Sequence, residues 1–358
     1  MSYALKAAGA AAALIGGFAL LFTFERPPMD TVQLGYRGLG IEQVVNPRLE
    51  RMTLAKNAIP AVVPQVGAVG PKASAVYKNV QVLGDLSVTQ FARTMAALTG
   101  WVAPEQGCNY CHNPNNMASD EIYTKVVARR MLQMTARINA EWKSHVQETG
   151  VTCYTCHRGQ PVPAYSWAHN DTPPRSAGLS VGTAGQNLAS GSVGLTSLPY
   201  DPFTPYLSGN AQIRVQTPAP RVMPVKPGIK DAEWTYGLMM HMSTSLGVVC
   251  TYCHNSRAWY SWEESPPQRT NAWHGIRMVR DVNNNFITPL QPQWAANPYG
   301  PPTGPVQPRV GLHGDPLKVN CGTCHQGAYK PLLGVSMLQD YPELNAVTNI
   351  DAPPPIRQ

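Results

Sequence analysis

The sequence predicts a mainly α-helical protein with long irregular loops, built from two related halves behind one apolar N-terminal helix. Three observations carry that prediction. A Cys-x-x-Cys-His signature occurs four times, each time after a segment of helical period. Gly and Pro together supply 64 of the 358 residues, well above an average usage of roughly 12% yet short of the level that signals disorder. An uncharged apolar run lies close to residue 1.

That run extends from Ala7 to Phe24, after Lys6 and before Glu25-Arg26-Pro27-Pro28. As a helix its residues reach about 27 Å, marginally the thickness of a bilayer core. No small-x-small cleavage site follows Phe24, so residues 1–25 read as a retained transmembrane anchor rather than a removed secretory signal. The run holds no cysteine for a diacylglycerol anchor. Lys6 on its N-terminal flank suggests a cytoplasmic N-terminus.

Residues 26–85, including AIPAVVPQVGAVGPKASAVYKNV, show few helical periods and read as an extended covering segment. Ser87 is a good N-cap for VTQFARTMAAL, a helix ending near Gly100. A second helix is expected from about Ser119 to Glu148, with room for a bend, and completes a first half over 86–165. Residues 166–226, with GLSVGTAGQNLASGSVG, have no sustained period and connect the halves. The connection is too long for an idle loop and is expected to lie along the body or contact a partner. Helices near Asp231–Leu246 and Asn271–Asn284 belong to a second half over 227–335, and 336–358 form a C-terminal tail. NYCHN and TYCHN match between the first and third motifs, and RRM and IRM match in the helices before the second and fourth. This order reads as an internal duplication with pseudo-two-fold related halves.

The motifs are Cys108/Cys111/His112, Cys153/Cys156/His157, Cys250/Cys253/His254 and Cys321/Cys324/His325, which use all eight cysteines. Their spacing is that of c-type haem attachment. Two thiols reach one porphyrin edge while the next side chain lies under the iron. Zinc would need two paired CxxC units, or histidines at finger spacing, and has no use for a histidine after every second cysteine. A thioredoxin-like motif would need a strand-to-helix context and would hardly occur four times. The chain is therefore a multihaem c-type cytochrome in which each motif binds one haem. Bacterial c-type maturation occurs outside the inner membrane, which makes the body periplasmic.

The formal charge of +7 does not indicate nucleic-acid binding, because no Lys/Arg run exceeds two residues and about eight haem propionates offset it.

Each iron needs a sixth ligand. Met95, Met131 and Met239 lie 17, 26 and 15 residues before His112, His157 and His254, in helices that can lie flat on a haem. Spacing alone leaves Met134, Met240, Met242 and His241 as competitors, and a helical methionine is commonly core filler. For the fourth iron, the repeat nominates Met278 of IRM opposite Met131 of RRM.

The phrases RTMAALTGWV before GCNYCHN, LMMHMSTSLG before CTYCHN, and PPQRTNAWHGIRMVRDVN before CGTCHQG resemble the tetrahaem cytochrome c subunit of purple-bacterial photosynthetic reaction centres, over roughly residues 26 to 335. The resemblance implies Met/His ligation by Met95, Met131 and Met239 at three haems and a bis-histidine fourth haem completed by His145. His145 follows Met131 by fourteen residues, close to four turns, so both are expected on one face of a single helical stretch. It also implies that Arg269 lies beside the third haem and raises its potential. Many family members carry an N-terminal lipidated cysteine, which this sequence lacks.

The same resemblance implies electron transfer, without substrate chemistry, from a soluble cytochrome c or high-potential iron–sulfur protein to the photo-oxidised bacteriochlorophyll pair. It places the chain on the L and M subunits, with the H subunit and core light-harvesting antenna in the same complex. The third haem is expected nearest the pair. A membrane-anchored quinol dehydrogenase is the alternative, but that class relies on largely bis-histidine haems. A multihaem enzyme would need an iron with an open position, and each iron here has a candidate sixth ligand.

Overall fold

A computed structural model describes residues 3–23, 29–33, 42–170, 192–193, 198–199, 201–215 and 228–345. Most of the 166–226 connection, the Glu25–Pro28 flank and the last part of the 336–358 tail lie outside the described residues.

The apolar run forms α1 (Tyr3–Leu21), with no buried residue. It is long and apolar enough to cross a membrane. The covering segment contains more regular structure than its composition suggested. Strands β1 (Asp30–Gln33) and β2 (Glu42–Val45) pair antiparallel, Asp30 opposite Val45 and Gln33 opposite Glu42. Helix α2 (Pro47–Lys56) follows, capped by the Asn46 side chain and with Pro at its first position. A single turn, α3 (Ala73–Val76), leads to α4 (Val88–Val102). Ser87 and Gln90 close a capping box at its start. Arg93 of α4 donates to the Val63 and Pro64 carbonyls and fastens the covering segment to the body.

The expected second helix is broken. Helix α5 (Tyr123–Glu141) stops at Trp142 and resumes as the short α6 (Lys143–Val146). Trp142 is buried and its indole N–H donates to Asp281 at 2.8 Å, so a tertiary contact turns the chain here. The second motif is α7 (Cys153–His157). Helix α8 (Ile229–Leu246) ends on Gly247, left-handed at φ +66°. Helix α9 (Pro267–Val282) continues into a π-turn over Asn283–Ile287. The fully buried Asn283 side chain there donates to the Leu207 and Val319 carbonyls and accepts from Val319. A short α10 (Gln291–Ala296) precedes the fourth motif, α11 (Cys321–His325).

Two cores hold these elements, and both mix sequence regions. The first joins Ile138 and Trp142 to Trp167, Phe203, Leu207, Leu238, Ile276, Met278 and Val282. A buried ion pair, Arg137 with Asp281 at 3.4 Å, lies against it. The second joins Ala97, Trp101 and Leu132 to Leu332, Met337, Leu338, Tyr341 and Leu344. Within the expected 336–358 tail, Met337, Leu338, Tyr341 and Leu344 are thus core residues against α4 and α5.

Candidate functional site

The four motifs fold locally in two alternating ways. The first and third are 3-10 turns, Gly107–Tyr110 and Cys250–Tyr252. The second and fourth are single α-turns, each followed by a left-handed residue, Arg158 and Gln326. The histidines repeat the alternation. Nδ1 of His112 and His254 meets a carbonyl five residues on, Met117 at 3.0 Å and Trp259 at 3.2 Å. Nδ1 of His157 and His325 meets one three residues on, Gln160 at 2.8 Å and Ala328 at 2.9 Å. A carbonyl only accepts, so Nδ1 carries the proton and Nε2 of each ring keeps its lone pair for a metal. Burial lowers the pKa of His157, His254 and His325, the last to about 4, which keeps them in the neutral, ligating form.

Burial has the opposite effect on the thiols. It pushes Cys153 and Cys321 up to about 12 and Cys253 to about 11, and it raises Cys111. These sulfurs stay as S–H, the species whose addition across a vinyl group consumes both sulfur and proton.

A cavity of about 1070 Å³ runs between the elements, beyond the roughly 300–1,000 Å³ of an ordinary small-molecule site. Its walls include Met95, His112, Met131, His157, His145 and His325, together with Cys108, Cys111, Cys153, Cys156, Cys253, Cys321 and Cys324. Met239, Cys250 and His254 are not on that wall. Among the competing ligands, Met134 and Met242 line the cavity. His241 is buried away from it, its ring edge-on to Phe203 at 4.5 Å and its Nε2 3.1 Å from the Ser245 hydroxyl. Met278 reaches the cavity while packed in the first core.

The His145 and His325 rings have centroids 6.2 Å apart and planes inclined at 64°. Two imidazoles on opposite sides of one transition metal, with bonds of about 2.0 Å, place their ring centres about 6.2 Å apart. The donor set therefore fits an iron between them. His145 Nδ1 lies 2.7 Å from Asn271 Oδ1 and 3.0 Å from the Asn271 carbonyl, which leaves Nε2 as its ligating atom. The ring lies flat on Gly275 of α9, where a Cβ would come within 2.6 Å of Cε1. His145 does not share one continuous helix with Met131, because α5 ends before it; α9 positions the ring instead. Sequence reasoning missed Asn271 and Gly275, although an isolated glycine inside a helical pattern is a signal of close approach.

Arg269 donates to the Ser261 carbonyl at 2.6 Å and lies over the Trp262 ring at 4.4 Å. Its charge is felt at His254, where it adds to burial in lowering the pKa.

One pair departs from the sequence expectation. Cys156 and Cys324, assigned to the second and fourth haems, are joined as a disulfide with Cα atoms 4.4 Å apart. A sulfur in a disulfide has no valence left for a thioether, so the two uses exclude each other in one molecule. The contact arises because α7 and α11 pack together, with the second cysteine of each motif at the junction.

A sequence profile described as photosynthetic reaction centre cytochrome C subunit matches residues 25–345. The photosynthetic reaction center cytochrome c subunit of Thermochromatium tepidum is 49% identical over 333 residues, covering 93% of this chain and 79% of that protein. The subunit of Rubrivivax gelatinosus is 51% identical over 327 residues, 91% of this chain and 86% of the relative. That of Roseobacter denitrificans is 41% identical over 284 residues, 75% and 72% respectively.

Proposed function

This chain belongs to the family of photosynthetic reaction centre cytochrome c subunits, and on that premise we propose that it carries electrons from a soluble periplasmic donor to the photo-oxidised bacteriochlorophyll pair. It is an electron carrier associated with the reaction centre and its photosynthetic membrane, not an enzyme, and its cofactor is covalently bound haem c. Family membership favours this reading over the quinol dehydrogenase.

Four haems are proposed, one at each CxxCH motif, supplying reversible one-electron Fe(III)/Fe(II) chemistry. His112, His157, His254 and His325 are the proximal ligands, oriented by their carbonyl-bound Nδ1 atoms. Met95, Met131 and Met239 complete three irons, and a thioether ligand holds those sites at higher potential than a second histidine would. His145 completes the fourth. The single observation that supports the His145 assignment is the 6.2 Å separation of the His145 and His325 ring centroids. Arg269 places a fixed positive charge beside the third site and disfavours its ferric state. Cys156 and Cys324 act as separate thioether donors in the mature protein.

Residues 86–165 and 227–335 form the two dihaem halves. The alternation of turn type and of histidine–carbonyl spacing supports that division. Helix α1 anchors the chain, with the body on the periplasmic side against the L and M subunits, and the H subunit and core antenna in the same assembly. A small cytochrome c or high-potential iron–sulfur protein serves as donor.

The test is isolation from native membranes followed by redox titration. Co-purification with bacteriochlorophyll and several midpoints well above zero support the proposal. An intact pigment-free complex with uniformly low midpoints would refute it.

A further inference from the structure

The loop behind the first motif holds a buried cation that the ligand set does not use. Lys125 is 8% exposed, and its ammonium donates to three successive carbonyls, Met117 at 3.0 Å, Ala118 at 2.8 Å and Ser119 at 2.9 Å. Those bonds use all three of its N–H donors. Asp120 stands beside them as counter-ion, its Oδ1 at 3.2 Å, and a bidentate pair with Arg129 at 2.8 and 2.9 Å fixes that carboxylate. The hydrogen bonds from Arg129, together with that from Lys125, hold Asp120 down to about 2, so it stays ionised. The Met117 carbonyl has a second donor, the Nδ1–H of His112 at 3.0 Å. One oxygen is thus shared between a lysine ammonium and the ring of a proximal ligand.

The internal repeat places this cation. Lys125 is the third residue of α5, and Arg269 is the third residue of α9. Arg269 donates to the carbonyl of Ser261, seven residues after His254, as Lys125 donates to that of Ser119, seven residues after His112. Each half therefore sets a basic side chain on the loop that follows its first motif. In the first half that side chain also reaches the carbonyl that orients the histidine. The loop is held from other sides as well. Asn79 donates to the Ala118 carbonyl at 2.6 Å, the Ser119 N–H to the Asn116 carbonyl at 3.0 Å, and Asn113 to Glu121 at 2.9 Å. The Met117 carbonyl is fixed between its two donors.

We propose that Lys125 is a positioning residue for the first haem, acting on His112 through the Met117 carbonyl to hold that midpoint up. The inference rests on the haem reading above and extends it to the setting of one potential. An oxygen engaged by an ammonium has less electron density to offer a second donor, so the hydrogen bond from His112 is weakened. The imidazole then keeps its neutral character and donates less to the iron, which disfavours the ferric state. The ammonium charge acts in the same direction through space, reduced by Asp120. A lysine that only fastened the loop would leave the ligand field of the iron unchanged.

The experiment uses the intact membrane complex with Lys125→Met, Lys125→Arg and Asp120→Asn. Haem is counted by pyridine haemochrome and midpoints are read by redox titration. Low-temperature EPR gives the largest g value of each ferric haem, which reports how strongly the axial imidazole donates. Lys125→Met keeps the length of the side chain without its charge or donors. It is expected to lower one midpoint, distinct from the one moved by Arg269→Leu, and to lower the g value of the same haem. Lys125→Arg restores a cationic donor and should return both toward wild type. Asp120→Asn, at a partly exposed side chain, removes the counter-ion and should raise the same midpoint and g value. If the Lys125 variants do not assemble, Asp120→Asn decides alone. Wild-type midpoints and g values in assembled variants would overturn the proposal. So would a lowered midpoint at an unchanged g value, which would leave the charge but not the carbonyl route. A wild-type complex without covalent haem would overturn the reading beneath it, a result separable by the haem count.

Discussion

Gly275→Ala isolates the role of His145 without changing any ligand. The new Cβ would lie 2.6 Å from Cε1, 3.0 Å from Nδ1 and 3.1 Å from Nε2 of His145. Carbon atoms pack at about 3.5–4.0 Å, so the ring or the helix must retreat by about 1 Å. The ring is tied to the same helix by the Asn271 contacts at 2.7 and 3.0 Å. A retreat of that size carries them beyond hydrogen-bonding range, at a net cost of about 1 kcal/mol each. Overpacking adds about 1–3 kcal/mol, and the better helix propensity of Ala returns about 1 kcal/mol. The fold should survive, but a metal–nitrogen bond of about 2.0 Å cannot stretch by half its length. The expected result is a folded complex in which one reduced haem binds carbon monoxide while the wild type binds none. Gly100→Ala is the control, since nothing lies within 4 Å of its Cβ position; it should be silent. A Gly275→Ala complex that stays inert to carbon monoxide, with its bis-histidine spectrum unchanged, would refute the assignment.

Three further outcomes are expected. His145→Met should raise a single midpoint, whereas Met278→Leu should keep every ligand and cost less than about 1.5 kcal/mol as a volume-conserving core change; a lost ligand in Met278→Leu would favour the repeat-based assignment. Arg269→Leu should lower the midpoint of the third haem selectively, and an unchanged value with the haem in place would remove the electrostatic claim. Peptide mass spectrometry of the mature protein without reductant should find haem on the Cys153–Cys156 and Cys321–Cys324 peptides separately, and a disulfide-linked pair would contradict the thioether assignment.

Local signals were legible wherever the chemistry is local. Ser87 marked the start of α4, and the four CxxCH motifs named their own cofactor. Asn46-Pro47 carried an equally clear start signal for α2, hidden by the Pro and Gly content around it. The break at Trp142 had no Gly or Pro to announce it, because its cause is Asp281, far away in sequence. The same holds for the site. Proximal histidines could be read from spacing, whereas the setting of His145 against α9 depends on Gly275. Met337, Leu338, Tyr341 and Leu344 read as a tail because their partners, Trp101 and Leu132, lie in α4 and α5.

The central claim is that this chain delivers electrons to the photo-oxidised pair. The most direct measurement is a single saturating flash given to the isolated complex, poised so that the high-potential haems are reduced, with absorbance followed at the bacteriochlorophyll and c-type haem bands together. The account predicts that the pair is re-reduced as one haem is oxidised, with matching rates and one electron per centre. Recovery of the pair with every haem remaining reduced would contradict it.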